Sequence, residues 1–201
     1  MNQKNMKTIL SAVAFTLVLF ALPTKGSADG DGSSGAMPDA AASNVAGIPA
    51  EAPTTITADI VDGTGKKIGE VKAKQDKKGV KFSVDVAGLK PGPHGIHIHA
   101  VGKCEGPDFK SAGGHFATAA QHHGLKNPQG PHIGDLPNLM VKKDGTGHQT
   151  FVDKAVTLKP GLNSLLKSDG TALVIHADKD DEKSDPAGNA GARIACAVLS
   201  K

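Results

Sequence analysis

Six of the nine histidines in this chain, together with one aspartate, form a spaced series that is typical of metal ligands. The series begins with two histidines one residue apart and continues far downstream: His97, His99, His115, His123, His132, Asp135 and His176. Imidazole is the commonest protein ligand for zinc and copper, and a carboxylate adds charge compensation. Calcium and magnesium prefer mostly oxygen ligands. The set therefore predicts a pair of transition-metal ions that share one ligand.

The first two histidines are predicted to lie on one face of a β-strand. Side chains alternate along a strand, so His97 and His99 point to one side, while Ile96 and Ile98 point to the other. Isoleucine suits a strand whose second face packs into a core. The strand would therefore carry core residues on one side and metal ligands on the other.

The next four members of the series lie in residues 115–135, which contain several Gly and Pro positions and no regular apolar pattern. This composition predicts one long loop, and long loops inside compact domains are usually functional. Three histidines fall outside the series and are interpreted as ordinary solvated or hydrogen-bonded residues: His94, His122 and His148.

Elsewhere the chain alternates apolar and polar residues in short segments, as half-buried strands do. The first two segments, 54–61 and 68–74, flank the turn sequence Asp-Gly-Thr-Gly and predict a hairpin. Later segments of the same kind cover residues 79–86, 95–100, 139–142, 148–153, 172–177 and 193–199. This pattern predicts an all-β sandwich or barrel.

The first 28 residues are interpreted as a signal peptide. Lys4 and Lys7 precede an apolar run from Ile9 to Leu22 that is short for a membrane span, and small residues near Ala28 suit cleavage. An uncleaved anchor is the alternative. Residues 29–52 are rich in Gly, Ala, Ser, Asp and Pro and are predicted to be a disordered linker, which leaves residues 53–201 as one domain.

The charge balance gives no reason to expect a nucleic-acid or membrane partner once the leader is removed. The whole chain carries +3 at neutral pH, but residues 1–28 contain three lysines and no acid. The basic residues that remain balance the 20 acidic ones. A neutral exported chain lacks the electrostatic attraction that such polyanionic partners require.

Five motifs, in order, resemble the copper/zinc superoxide dismutases, and most closely their secreted prokaryotic branch. They are HGIHIHAVGKC, PDFKSAGGHF, HHGLKNPQGPHIGDLPNL, LVIHADKDD and GNAGARIACAV. The resemblance covers about residues 54–200. It implies an eight-stranded Greek-key β-barrel, of the immunoglobulin-like sandwich type, with long metal-binding and electrostatic loops. It also implies an enzyme that converts superoxide to dioxygen and hydrogen peroxide, protecting the cell exterior.

The resemblance implies copper and zinc as cofactors and divides the series between them. The implied copper ligands are His97, His99, His115 and His176, and the implied zinc ligands are His115, His123, His132 and Asp135. The family spacing selects His123 rather than its neighbour His122 as the zinc ligand. Some members of the family have lost copper ligands and with them the activity, whereas this chain retains all four.

Two residues take catalytic roles by this resemblance, His115 and Arg193. His115 would bridge the two metals, leave copper on its reduction, and carry a proton to the departing peroxide. Arg193 would attract and orient the anionic substrate. Zinc, which has no accessible redox state, would be structural. Asp180 would accept hydrogen bonds from His97 and His123, although it is equally well interpreted as one of several solvated acids in residues 178–182.

The chain has two cysteines, Cys104 and Cys196, which the resemblance pairs as a disulfide. Two free thiols are the alternative, which a secretory leader disfavours. The resemblance leaves the oligomeric state open, with a homodimer as one possibility. A non-enzymatic metal-binding protein of the same fold remains a second functional hypothesis. The complete copper set together with Arg193 favours the enzyme, since metal storage needs no anion-steering arginine.

Overall fold

Antiparallel β-strands account for nearly all the regular structure in residues 54–200, the part of the chain that the computed structural model describes. The strands are β1 (Thr55–Asp62), β2 (Lys67–Asp76), β3 (Gly79–Val86), β4 (Gly92–His94), β5 (Ile96–His99), β6 (Leu139–Val141), β7 (Gly147–Asp153), β8 (Thr171–His176) and β9 (Arg193–Leu199). A single-turn 3-10 helix spans Lys110–Ala112. The predicted signal peptide and linker lie outside the described residues. Within 54–200, no helix has the length and apolar character needed to cross a membrane.

Seven strands form one curled sheet in the order β5-β8-β9-β1-β2-β3-β7, and β4 pairs separately with β6. The predicted hairpin is present, since β1 pairs with β2 from Thr55 opposite Lys74 to Val61 opposite Lys67. The prediction of an all-β Greek-key barrel is confirmed.

The structure contains a short strand, β4, that is not among the segments predicted from the alternation of apolar and polar residues. The structure pairs β4 with β6, and the chain then crosses at Gly95 to pair β5 with β8. The amide of Gly95 donates to the Asp178 carbonyl, and its carbonyl accepts from His176 N, both at 2.8 Å. A Cβ at Gly95 would lie 2.7 Å from the Ala190 side chain, so glycine is required at this crossing.

Strand β5 is buried on both faces. Ile96 and Ile98 belong to the hydrophobic core of the barrel, as the sequence pattern predicts. The opposite face is covered by the long loop, because bridge pairings join His97 to Asp135 and His99 to His115. The strand thus separates the apolar core from a second buried layer that is made of histidines.

The Cys104–Cys196 disulfide is present, with a Cα–Cα distance of 5.6 Å. It joins the loop after β5 to β9 beside a small cluster of buried residues that includes Phe109 and Val174. Closing a loop over a separation of 92 residues stabilises a fold by roughly 4 to 5 kcal/mol in the chain-entropy account. The disulfide therefore fastens the segment around residues 104–112 to the last strand.

Asp153, at the end of β7, is a buried carboxyl group that does not belong to the histidine series. Its Oδ1 accepts a hydrogen bond from Ala155 N at 2.8 Å, while its Oδ2 has no partner. The side chain is enclosed, with 8% of the residue exposed. Burial, which disfavours the carboxylate, raises the pKa of Asp153 to about 6.

We expect this carboxyl group to lower the stability of the fold as the pH rises from about 4 to about 6. Over this range the folded chain binds the proton more tightly than the unfolded chain does, so ionisation favours unfolding. Asp153→Asn should raise the free energy of unfolding at pH 7 by about 1 to 3 kcal/mol and change it little at pH 4. Urea denaturation at the two pH values measures the difference, and an equal effect at both would contradict the expectation.

Candidate metal centre

On the loop-covered face of β5, four imidazole nitrogens come together that have no hydrogen-bond partner within residues 54–200. The four atoms are His97 Nδ1, His99 Nε2, His115 Nε2 and His176 Nε2. The four residues can each offer a ligand atom within 4.8 Å of the others. Buried polar atoms in folded proteins nearly always have a partner. A metal ion that accepts one lone pair from each ring explains the arrangement, so these residues fit the copper site that the sequence implies.

The second nitrogen of three of these rings holds the ring in a fixed orientation. His97 Nε2 donates to Asp180 Oδ2 at 2.7 Å, His99 Nδ1 donates to the Gly113 carbonyl at 2.9 Å, and His176 Nδ1 donates to the Gly191 carbonyl at 3.2 Å. A ring that donates from one nitrogen presents a lone pair on the other. The three lone pairs are therefore directed by contacts behind the ligands.

The same three rings are neutral at physiological pH. Loss of hydration, the largest cause in each case, lowers the pKa of His97 to about 4, that of His99 to about 2 and that of His176 to about 3. Metal coordination requires the unprotonated ring. Burial therefore keeps these ring nitrogens unprotonated and able to coordinate a cation.

A second group of ligand atoms surrounds the carboxylate of Asp135. Its Oδ1 lies 3.1 Å from His115 Nδ1, 3.0 Å from His123 Nδ1 and 3.5 Å from His132 Nδ1. The Nδ1 atoms of His115 and His132 are 3.3 Å apart. Ligands about 2.0 Å from a tetrahedral zinc ion are about 3.3 Å from one another. These distances match the edges of such a site, so the four residues fit the zinc ligands that the sequence implies.

His97 also has a ligand atom within 4.8 Å of those of His115, His123 and Asp135. However, His97 Nε2 donates a hydrogen bond to Asp180, and His97 Nδ1 belongs to the first group. His132 is therefore the better fourth member of the second group. His115 alone contributes one nitrogen to each group.

Asp180 is buried between the two groups, with 1% of the residue exposed. Besides its bond to His97, it accepts a hydrogen bond from His123 Nε2 on Oδ1 at 3.0 Å. Burial opposes ionisation, but the bonds from His123 and His97 outweigh it and hold the pKa of Asp180 well below its usual range. The burial excludes the alternative interpretation of Asp180 as a solvated acid.

The loop around Asp180 is held by a contact that the sequence did not indicate. Asn138 Oδ1 accepts from the Asp180 amide at 2.8 Å, and Asn138 Nδ2 donates to the Asp180 carbonyl at 2.9 Å. Gly188, at φ +63°, packs against the carboxylate, and a Cβ there would lie 1.7 Å from Asp180 Oδ1. A side chain at residue 188 would therefore displace the carboxylate.

We expect Asp180→Ala to weaken binding at both sites by about 10- to 100-fold, because the rings of His97 and His123 lose the acceptor that orients them. Asp180→Asn should retain only part of the wild-type affinity for the two metals. Its amide has one oxygen for two ring N–H donors, so its NH2 group must face one of them. Competition with a chelator, followed by metal analysis, measures each affinity. An asparagine variant that binds both metals as wild type does would contradict the bridging role.

Arg193 lies at the start of β9 and binds the backbone beside the first group of ligands. Its Nη1 donates to the Phe109 carbonyl and its Nη2 to the Gly113 carbonyl, both at 2.7 Å. Gly113 also accepts the bond from His99. The guanidinium is partly buried and retains N–H donors beyond the two used here. The arrangement places a permanent positive charge next to the backbone that orients His99.

The three histidines outside the series have other partners. His94 is buried, with its two ring nitrogens each 2.7 Å from a backbone carbonyl oxygen, those of His176 and Lys90. His148 is exposed and pairs with Asp85.

His122 is also exposed and pairs with Asp185 Oδ2. Asp185 Oδ1 accepts a hydrogen bond from the amide of His123 at 2.6 Å and so holds the backbone of this member of the second group. The sequence carried no signal for Asp185, because the contact joins residues about sixty positions apart.

Comparison with known proteins agrees with this geometry. The family profile described as copper/zinc superoxide dismutase (SODC) matches residues 67–199. A relative named superoxide dismutase [Cu-Zn] 1, from Aquifex aeolicus, is 51% identical over 144 residues, which cover 71% of this chain and 85% of the relative.

Solved structures agree as well. The Cu/Zn superoxide dismutase from Brucella abortus aligns with a TM-score of 0.60 at 31% identity, covering 72% of this chain and 99% of that one. A protein from Bacillus subtilis described as SOD-like aligns with a TM-score of 0.69 at 38% identity, covering 71% of this chain and 97% of that one. The profile, the relatives and the two ligand groups lead to one conclusion: the chain belongs to the copper/zinc superoxide dismutase family.

Proposed function

We propose that this chain dismutates superoxide outside the cytoplasm, with copper held by the first group of ligands and zinc by the second. Family membership supports the reaction and the two cofactors. The ligand assignments rest on the two groups of converging atoms. The overall reaction consumes two superoxide anions and two protons and yields dioxygen and hydrogen peroxide. Bound copper supplies the one-electron redox chemistry that this reaction needs.

The observation that carries the proposal is the set of four unpartnered nitrogens at the first group. A purely structural histidine cluster would satisfy these atoms with carbonyls or carboxylates, as the second nitrogens of His97, His99 and His176 are satisfied. Here all four are left free on the same side. Because an unpaired buried polar atom destabilises a fold, the arrangement favours a ligand that compensates the four atoms together.

His115 is the residue that we propose to move a proton. Its Nδ1 lies among the zinc-type ligands, 3.1 Å from Asp135 Oδ1, while its Nε2 faces the first group. With Nδ1 held among the zinc-type ligands, the ring would keep its orientation while Nε2 is free. Nε2 is therefore the atom that can take up a proton and pass it to the peroxide product.

The proposal is tested by measuring superoxide consumption together with the metal content of the purified protein. A protein that contains copper and zinc should consume superoxide far faster than the spontaneous reaction. Removal of copper by a chelator should abolish the activity, and copper addition should restore it. Loaded protein with no rate above the spontaneous one would contradict the proposal and favour metal storage.

Arg193 is proposed to attract the anionic substrate. Arg193→Ala should lower the rate by about tenfold at low ionic strength and flatten the dependence of the rate on salt, since the attraction of an ion to a fixed charge is screened by electrolyte. Arg193→Lys keeps the charge and should retain part of the salt dependence. The rate is measured between low and high ionic strength at constant pH. A salt profile in Arg193→Ala identical to that of the wild type would contradict this role.

The location outside the cytoplasm is supported by the disulfide, because such bonds persist mainly in oxidising compartments. Export through the signal peptide at residues 1–28 is part of the proposal. Cell fractionation with N-terminal sequencing of the mature protein tests it, and a cytoplasmic protein that retains residue 1 would overturn it.

A further inference from the structure

The outer face of β1, β2, β3 and β7 separates its charges along the strand direction. Residues directly opposite one another form rows across the four strands. One row is acidic and ends in a histidine: Asp59, Glu70, Asp85 and His148. Four positions along β1, the corresponding row contains two lysines: Thr55, Lys74, Lys81 and Val152. The balanced charge of residues 29–201 therefore conceals an uneven distribution.

Five lysines around the β2–β3 turn form what we call the lysine cluster: Lys72, Lys74, Lys77, Lys78 and Lys81. All five are exposed. None of their ammonium groups forms an ion pair with a carboxylate in residues 54–200, whereas Lys67, at the acidic end, lies 2.6 Å from Asp59. Lys74 and Lys81 lie directly opposite each other, a like-charge arrangement that destabilises a sheet. The fold thus bears a cost to keep positive charge concentrated here.

The lysine cluster borders a shallow groove. The groove is lined by Asp76, Lys77, Lys78, Lys81, Thr150 and Val152. Strands β8, β9 and β1 lie between β2 and β5 in the sheet. Three of the four ligands in the first group are on β5 and β8. Arg193, at the start of β9, lies near the Val61–Asp62 end of β1, whereas Lys74 is opposite Thr55 at the other end of that strand. Attraction of superoxide to the metal centre therefore does not explain the lysines.

We propose that the lysine cluster binds a linear polyanion that carries closely spaced phosphate groups. Neighbouring strands are about 4.8 Å apart, and alternate residues on one strand are about 6.7 Å apart. Such an array presents several charges in a row and suits a repeating anion better than a single small one. Lysine is a flexible point charge, which suits phosphate groups whose orientation varies along a polymer.

The groove favours a soluble polymer over a lipid surface or a base-reading site. Its lining includes one exposed apolar side chain, Val152, and no aromatic residue. Binding to a bilayer interface usually combines basic residues with Trp, Phe or Leu that insert among the lipids. Binding to single-stranded nucleic acid usually adds aromatic side chains on which bases stack. The surface offers charge without either of these additions.

Titration of the full chain with inorganic polyphosphate, followed by calorimetry at several salt concentrations, tests the proposal. We expect binding that weakens steeply with salt, because each phosphate contact releases counterions. A triple variant with Lys77→Gln, Lys78→Gln and Lys81→Gln should bind at least about tenfold more weakly. Both this variant and wild type should consume superoxide at the same rate, since none of the three lysines belongs to the metal centre.

The matched control is a triple variant with Lys90→Gln, Lys142→Gln and Lys143→Gln, which removes the same charge from exposed positions outside the groove. It should bind polyphosphate within about twofold of wild type. Equal losses in the two variants would show that overall charge, and not the cluster, holds the polymer. No binding by wild type at low salt, or binding to phosphatidylglycerol vesicles without binding to polyphosphate, would overturn the proposal.

Discussion

Replacing His99 by alanine should reduce superoxide dismutation by at least about 1,000-fold while zinc remains bound. His99 contributes its unpartnered Nε2 to the copper-type group and makes its other contact with the backbone of Gly113. It has no atom in the group around Asp135. The variant therefore removes one copper ligand and leaves the zinc-type ligands complete.

Metal analysis and superoxide consumption, measured on the same preparation, decide this expectation. His148→Ala is the matched control, because His148 is exposed and pairs only with Asp85. The control should keep both metals and full activity. Loss of zinc from the His99 variant, with an unchanged free energy of unfolding, would contradict the division of ligands.

Zinc binding should depend on His123 and not on its neighbour His122. We expect His123→Ala to weaken zinc binding by at least about 100-fold, because His123 Nδ1 lies 3.0 Å from Asp135 Oδ1 in the zinc-type group. His122 points away from this group and pairs with Asp185 at the surface. His122→Ala should therefore bind zinc within about threefold of wild type.

The two neighbouring alanine variants control for each other, since each removes one imidazole from the same stretch of loop. Zinc affinity is measured by competition with a chromophoric chelator, and stability by thermal unfolding of the metal-free proteins. His122→Ala loses a surface ion pair, which usually contributes less than about 1 kcal/mol. Equal losses of zinc affinity in both variants would reverse the assignment or show that the whole loop unfolds.

Much of the site was predictable from short-range patterns. The spacing of His97 and His99 predicts two ligands on one strand face, and the alternation of isoleucine between them predicts the buried core on the other. Each predicted strand segment corresponds to a strand of the structure, and the structure adds β4. That strand depends on pairing with β6, some forty-five positions away, and its proline removes one of the usual amide donors. Local sequence carries no information about such a pairing.

The contacts behind the ligands were the least predictable part. Asp180 lies among several acids in residues 178–182, and only the fold distinguishes the carboxylate that is buried from those that are solvated. Asn138 and Asp185 act through backbone amides and carbonyls brought together by separate loops. Gly113 acts through its carbonyl oxygen, which every residue type possesses. Residue type and spacing therefore predict the candidate ligands, whereas the groups that support them become apparent only in the fold.

The carbonyl of Gly113 accepts hydrogen bonds from both His99 Nδ1 and Arg193 Nη2, so one peptide group holds both a proposed copper ligand and the guanidinium proposed to attract the substrate. A displacement of this peptide would disturb both hydrogen bonds at once. Substitutions at the two positions are consequently not independent, and their effects in a double-mutant cycle should depart from additivity. Under the proposed roles, altering the electrostatic field at the metal site without altering the approach of superoxide would require a substitution elsewhere in the barrel.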